Sequence, residues 1–156
     1  MPKINDISYF FDPKSLAIIG ASSKSGKVGY NVLTNIIESK YKGKIFPINP
    51  KTEEILGYKS YKSVLDVPEE IEVAIVVIPG KFVNHVAEEC GKKKIKGLVI
   101  ITAGFKEIGG AGIVREQELV QIAKKYDMRV IGPNCLGFIG VNYNGSFAAT
   151  LLKRGK

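Results

Sequence analysis

The chain has 156 residues, enough for one domain with a sizeable core, and its apolar (45%) and charged (24%) fractions are those of a globular protein. No apolar run nears the roughly 18 residues that cross a bilayer, residues 1–6 open no apolar leader, and two cysteines are too few for a disulfide framework and lack zinc-type spacing; a cytoplasmic chain with no membrane partner is expected. The net charge of +8 favours anionic ligands, but the lysines do not interleave with aromatics, so no nucleic-acid partner is expected.

The first apolar run is Leu16, Ala17, Ile18 and Ile19, closed by Gly20. A short run without alternation is how a strand reads when both its faces are buried in a parallel sheet. After a long glycine-containing turn, Val28, Val32, Leu33, Ile36 and Ile37 recur at helical spacing. Residues 45–48 predict a second strand; Pro47 would remove a ladder N–H at a central position, so a bulge or strand end is expected there. Residues 73–78 predict a third strand. The helix after it should bury Phe82, Val86, Ala87 and Cys90 and end on the solvated run of Lys92, Lys93 and Lys94. A fourth strand (98–101), a helix with Leu119, Ile122, Ala123 and Tyr126 inward, and a fifth strand (130–131) follow; residues 138–141 are candidates for a last short strand. Strand–helix alternation with short links predicts one α/β domain built on a Rossmann-like, doubly wound, mostly parallel sheet. The expected domain is 1–146, with 147–156 a tail or the start of a linker.

In such a sheet, ligands sit outside the carboxyl ends of the strands, at the point where the strand order reverses. The turns opening at Gly20, Asn49, Pro79, Thr102 and Gly132 each follow a predicted strand, so they are expected to converge. A dinucleotide fold usually carries Gly-x-Gly-x-x-Gly and then an acid at the end of the second strand for the ribose 2′-hydroxyl of NAD. Here the first turn is longer, with Ser22 in place of the second glycine, and the second strand ends in Asn49, Pro50 and Lys51, with no acid. A lysine there suits a phosphate. NAD is therefore disfavoured; NADP and coenzyme A, each with an extra ribose phosphate, remain.

Ser22, Ser23, Lys24 and Ser25 offer hydroxyls and a charge beside a helix N-terminus, where the dipole attracts anions, and one serine is suited to cap the helix. Lys27 stands at the unfavourable end of that dipole, a placement that makes sense beside an anion. Small residues at Thr102, Ala103 and Gly104 let a ligand approach the backbone; Phe105 either covers an adenine or a pantetheine arm or packs in the core. Pro79 to Phe82 reads the same way. His85, the only histidine, has no Ser, Asp or Cys constellation in sequence and reads as a boundary or surface residue. Cys90 reads as core, and Cys135 as a small residue near ligand rather than a nucleophile.

Taken together, the segments Phe11-Asp12-Pro13-Lys14-Ser15-Leu16-Ala17-Ile18-Ile19-Gly20-Ala21-Ser22, Gly26-Lys27-Val28-Gly29, Pro47-Ile48-Asn49-Pro50-Lys51, Ile101-Thr102-Ala103-Gly104-Phe105 and Gly132-Pro133-Asn134-Cys135-Leu136-Gly137 resemble the N-terminal coenzyme-A-binding domain of ADP-forming acyl-CoA synthetases. These are typified by archaeal acetyl-CoA synthetase (ADP-forming) and related to the succinyl-CoA synthetase alpha subunit. The resemblance reaches Ala148. It implies coenzyme A as cofactor, with the first turn (Ser22, Ser23, Lys24 and Ser25) holding the nucleotide phosphates, Lys51 pairing with a phosphate, and Ile101, Thr102 and Ala103 lining the adenosine or pantetheine path; Gly20, Asn49 and Pro79, past the ends of their strands, are further cofactor-binding candidates. The turn 132–137 would lie near the acyl-phosphate or phosphohistidine site.

Complete enzymes of this family interconvert acyl-CoA, ADP and phosphate with acid, CoA and ATP through a phosphorylated histidine. That histidine belongs to the family's next domain and is not matched by His85, and the ATP-grasp domain is not in this sequence. The succinyl branch carries glutamate where Ala103 stands, so the acyl-CoA synthetase branch fits better. The resemblance therefore implies a ligase chain that works with further ligase and ATP-grasp domains or subunits, with no catalytic or metal-binding residue of its own. A stand-alone, non-catalytic CoA-binding module, an NADP-binding regulatory Rossmann domain and a fragment of a protein acetyltransferase with the same fused domain are the alternatives.

Overall fold

The computed structural model describes residues 6–138. Along the chain run the strands β1 (Ser15–Ile19), β2 (Lys44–Ile48), β3 (Glu54–Ile55), β4 (Tyr58–Lys59), β5 (Val73–Val76), β6 (Gly97–Ile100) and β7 (Arg129–Ile131), and the helices α1 (Val28–Glu38), α2 (Val83–Lys92) and α3 (Ala111–Lys125). Five strands form one sheet in the order β2-β1-β5-β6-β7, every neighbouring pair parallel. The sheet, helices and order are those of a Rossmann-like α/β domain, as the alternation predicts. β3 and β4 make a separate antiparallel hairpin beside β2. The order reverses between β1 and β5, which places a crevice at their carboxyl ends.

Central strands β1, β5 and β6 are buried along their whole length, which is why they read as unbroken apolar runs. Their side chains alternate between two cores. Leu16, Ile18, Val73, Ile75 and Val99 face Val32, Leu33 and Ile36 of α1; Ala17, Ile19, Ala74, Val76, Leu98 and Ile100 face Ala87 and Cys90 of α2 and Leu119 of α3. Burying each such Leu, Ile or Val contributes roughly 1.5–3 kcal/mol, so packing on the sheet, rather than propensity, holds these short helices. Helices α2 and α3 are also joined by polar contacts: the Tyr126 hydroxyl donates to Glu88 Oε2 at 2.7 Å, and Lys125 Nζ lies 3.1 Å from the same oxygen. Gly91 makes room for the Tyr126 ring, which would lie 2.2 Å from an added Cβ.

Several expectations need correction. Val28 is exposed rather than part of the inward stripe of α1, because it stands at the helix's first position, beyond the edge of the sheet-facing face. Phe82 is half exposed; it ends a 3-10 turn (Gly80–Phe82) whose tighter pitch rotates it outward, and Val83 is buried in its place. No bulge interrupts β2 at Pro47: the register runs unbroken from Ser15↔Lys44 to Ile19↔Ile48. β2 is the edge strand, and the Pro47 carbonyl faces away from β1 and accepts the Tyr61 N–H at 3.0 Å. The missing N–H lies on that same outer side, so the inner ladder loses nothing. Phe138 is not in a strand; its ring meets Phe11 edge-on at 5.2 Å. Residues 139–141 of the expected last strand, the expected domain limit at 146 and the tail 147–156 lie outside the described residues.

Candidate functional site

Each of the five turns lies past the carboxyl end of its strand, as expected. At the first, Gly20 has φ +94°, and an added Cβ would lie 2.5 Å from the Val77 carbonyl oxygen. Gly29 sits against it: a Cβ there would lie 1.9 Å from the Gly20 carbonyl oxygen. These two glycines let α1 start directly over the end of β1 and bring its positive end to the crevice. The N-cap is Lys27, with extended backbone (φ −84°, ψ 143°) and no side-chain cap. The expected serine cap is absent because Ser22 Oγ instead accepts the Lys24 N–H at 3.0 Å, closing a turn of its own. Ser23, Lys24 and Ser25 are exposed on that loop, and Ser22 is half-buried.

The second turn is tied to the first. Asn49 Nδ2 donates to the Ala21 carbonyl at 2.9 Å, while Asn49 Oδ1 accepts the Lys51 N–H at 2.9 Å. Asn49 thus ties the Lys51 backbone to the first turn. Between these turns and the start of α2 lies a cleft of about 660 Å³. Gly20, Asn49, Lys51 and Pro79 of the predicted residues line it, together with Lys27, Lys62, Ser63, Phe82, His85 and Glu89. Its wall is apolar at Ile19, Ile48, Val64, Ile78 and Val86. Among the described residues, Lys27, Lys51 and Lys62 have no ion-pair partner, so the cleft carries uncompensated positive charge.

The remaining turns continue along the sheet edge and are laced to one another. Thr102 Oγ1 donates to the Ile78 carbonyl at 2.8 Å, and the Thr102 carbonyl accepts the Asn134 N–H at 3.0 Å. Gly80 approaches so closely that an added Cβ would lie 2.9 Å from the Ala103 oxygen. Ile101 is half-buried and Ala103 exposed beside this ladder of contacts, outside the cleft itself. Phe105 is fully buried and covers no ligand: its ring packs with Leu119 and Ile100, and the Arg115 guanidinium above it donates to the Gly104 carbonyl. Glu107 holds this loop by accepting the Gly104 N–H at 2.5 Å and the Phe105 N–H at 3.1 Å, which keeps its carboxyl below the ordinary range. The third glycine turn is not brought into the cleft; Gly132 and Pro133 line a separate groove of about 490 Å³ between α3 and β7. Gly132 (φ +93°) passes so close to β6 that a Cβ would lie 2.3 Å from the Ile100 oxygen, and Cys135 Sγ donates to that oxygen at 3.3 Å.

His85 is on the cleft rim, with its side chain 79% exposed. Cys90 is core, and burial pushes its thiol pKa up, which leaves it inert. The sequence reading missed Lys62, Ser63 and Glu89. Glu89 lies three residues after Val86 and four after His85, on the face that α2 turns to the cleft; this spacing was visible, but which end of the helix meets the turn after β2 was not. Among the described residues, no group of three or more potential metal-ligating side chains occurs and no helix is long and apolar enough to cross a membrane.

A family model described as a CoA binding domain matches residues 14–141. The chain is 50% identical over 146 residues to 4-hydroxybutyrate–CoA ligase (ADP-forming) of Nitrosopumilus maritimus, covering 94% of this chain and 21% of that protein. It is 49% identical over 151 residues to subunit alpha of acetate–CoA ligase (ADP-forming) II of Pyrococcus furiosus, covering 96% and 33%. Among solved structures, the dinucleotide-forming acetyl-coenzyme A synthetase 1 of Ca. Korarchaeum cryptofilum, in complex with phosphate and ADP, superposes with a TM-score of 0.89 at 39% identity, over 94% of this chain and 31% of that one. The chain therefore spans about a fifth to a third of the length of these relatives.

Proposed function

This chain belongs to the CoA-binding domain family, and from that premise we propose that it holds coenzyme A for an ADP-forming acid–CoA ligase whose phosphohistidine and ATP-grasp regions lie in further domains or subunits. The observation that carries the reading is the meeting of the first and second turns in one cleft with unpaired lysines and no acid at the end of β2. Gly20, Ser22, Ser23, Lys24 and Ser25, with the positive end of α1, receive the diphosphate. Asn49 positions Lys51 for the ribose phosphate. Pro79 bounds the adenosine. The four turns after β2, β1, β5 and β6 span about three interstrand spacings of ~4.8 Å, a reach that suits a long, jointed ligand. The pantetheine arm runs outward over Ile101, Thr102 and Ala103, where the small side chain at Ala103 leaves room.

Calorimetric titration tests this. Coenzyme A is expected to bind saturably, and dephospho-CoA about ten-fold more weakly, the scale of one lost charge-assisted contact. Lys51→Ala should weaken coenzyme A to the level of dephospho-CoA while leaving dephospho-CoA unchanged. Binding of NADP without binding of coenzyme A would overturn the reading.

A further inference from the structure

Of the groups lining the cleft among the described residues, Glu89 is the one carboxylate, set among Lys27, Lys51 and Lys62. A carboxylate repels the phosphates that such lysines attract, so its position calls for a different part of the ligand. Its side chain is 23% exposed. One oxygen, Oε2, accepts the Ser63 hydroxyl at 3.0 Å. Ser63 is itself held in place: its Oγ accepts the Leu65 N–H at 3.1 Å, and its N–H donates to Asp66 at 3.1 Å in a capping box. The other oxygen, Oε1, lies 3.7 Å from His85 Nε2, too far for a hydrogen bond. The surface leading to it is apolar, formed by Ile48, Val64, Ile78, Pro79 and Val86.

A cleft that combines apolar wall residues with one carboxylate held by a neighbouring hydroxyl fits an aromatic heterocycle that carries an N–H donor on its edge. We propose that Glu89, positioned by Ser63, reads the base of the bound nucleotide: Oε1 accepts the exocyclic amino group of adenine. The inference rests on the reading that coenzyme A occupies this cleft. It assigns selectivity as well as affinity. A base with a carbonyl at the same ring position would set two acceptor oxygens against each other, and a buried polar group left without its partner is what rejects an analogue most strongly. Ser63 is a positioning residue, since its hydroxyl occupies Oε2 and leaves Oε1 as the oxygen open to a ligand donor.

The test compares coenzyme A with its hypoxanthine counterpart, in which a carbonyl replaces the exocyclic amino group and the adjacent N1 carries a hydrogen, on wild type and on Glu89→Ala. Wild type is expected to bind coenzyme A at least about ten-fold tighter than the analogue. Glu89→Ala should bring the two affinities within about two-fold, with its fold checked by circular dichroism. Equal affinities for wild type would overturn the proposal, as would a ratio that survives in Glu89→Ala. A Glu89→Ala variant weakened equally toward both ligands with its ratio intact would place the carboxylate on a ribose hydroxyl instead. Should the variant not fold, the wild-type ratio and that of Ser63→Ala, expected to be lowered, decide. Failure of wild type to bind coenzyme A at all is the separate failure of the underlying reading, and removes this inference with it.

Discussion

Gly29 shows how little freedom a single position has where a helix begins on top of a strand. The 1.9 Å approach of a built Cβ to the Gly20 carbonyl is to backbone, so no rotamer relieves it. Gly29→Ala is expected to destabilise the domain by about 3 kcal/mol or more, read as a lowered urea midpoint, because the start of α1 must lift off β1. Glu107 makes a second prediction at this scale. Its carboxyl is held below the ordinary range chiefly by the Gly104 and Phe105 N–H groups. A pKa lowered by folding means stability that is present above the unfolded value and lost as pH falls through the folded one. Wild type should therefore lose stability through the acid range more steeply than Glu107→Gln, in urea midpoints measured from neutral pH downward.

At the scale of elements, α1 combines an N-cap backbone with the wrong side chain for a cap. Lys27 has the extended conformation of an N-cap residue, but its ammonium cannot accept a helix N–H as a cap does, and it opposes the dipole. Lys27→Ser is expected to raise stability by about 1 kcal/mol, seen as a higher Tm. The same change should weaken coenzyme A several-fold in titration, since it removes a cation lining the cleft. An unchanged affinity would show that Lys27 is not spent on the ligand. The edge strand β2 makes the complementary point. Pro47 looks like a defect in the sequence and is harmless in the sheet, because strand order, which no local pattern contains, puts its missing donor on the outside.

At the scale of the whole molecule, the site is assembled from loops far apart in the chain, and catalysis is expected to need more than this chain. Incubated alone with acid, ATP and coenzyme A, these 156 residues should form no acyl-CoA, by chromatography of the products; the only histidine is an exposed rim residue, not one poised for phosphoryl transfer. Burial on both faces writes itself into local composition, so the sequence alone determined the central strands, their alternation with helices, the parallel sheet, the glycine turns that need positive φ and the absence of an acid after β2. Those same turns carried the family resemblance. Only the tertiary structure decided which turns share a cleft, since that depends on β1 lying between β2 and β5. It sent Phe105 into the core and Phe82 outward, engaged Ser22 in its own loop rather than as a cap, and turned Glu89 toward the ends of the strands. Each of these depends on contacts between residues distant in sequence, where several side-chain placements fit the local pattern equally well and packing selects one.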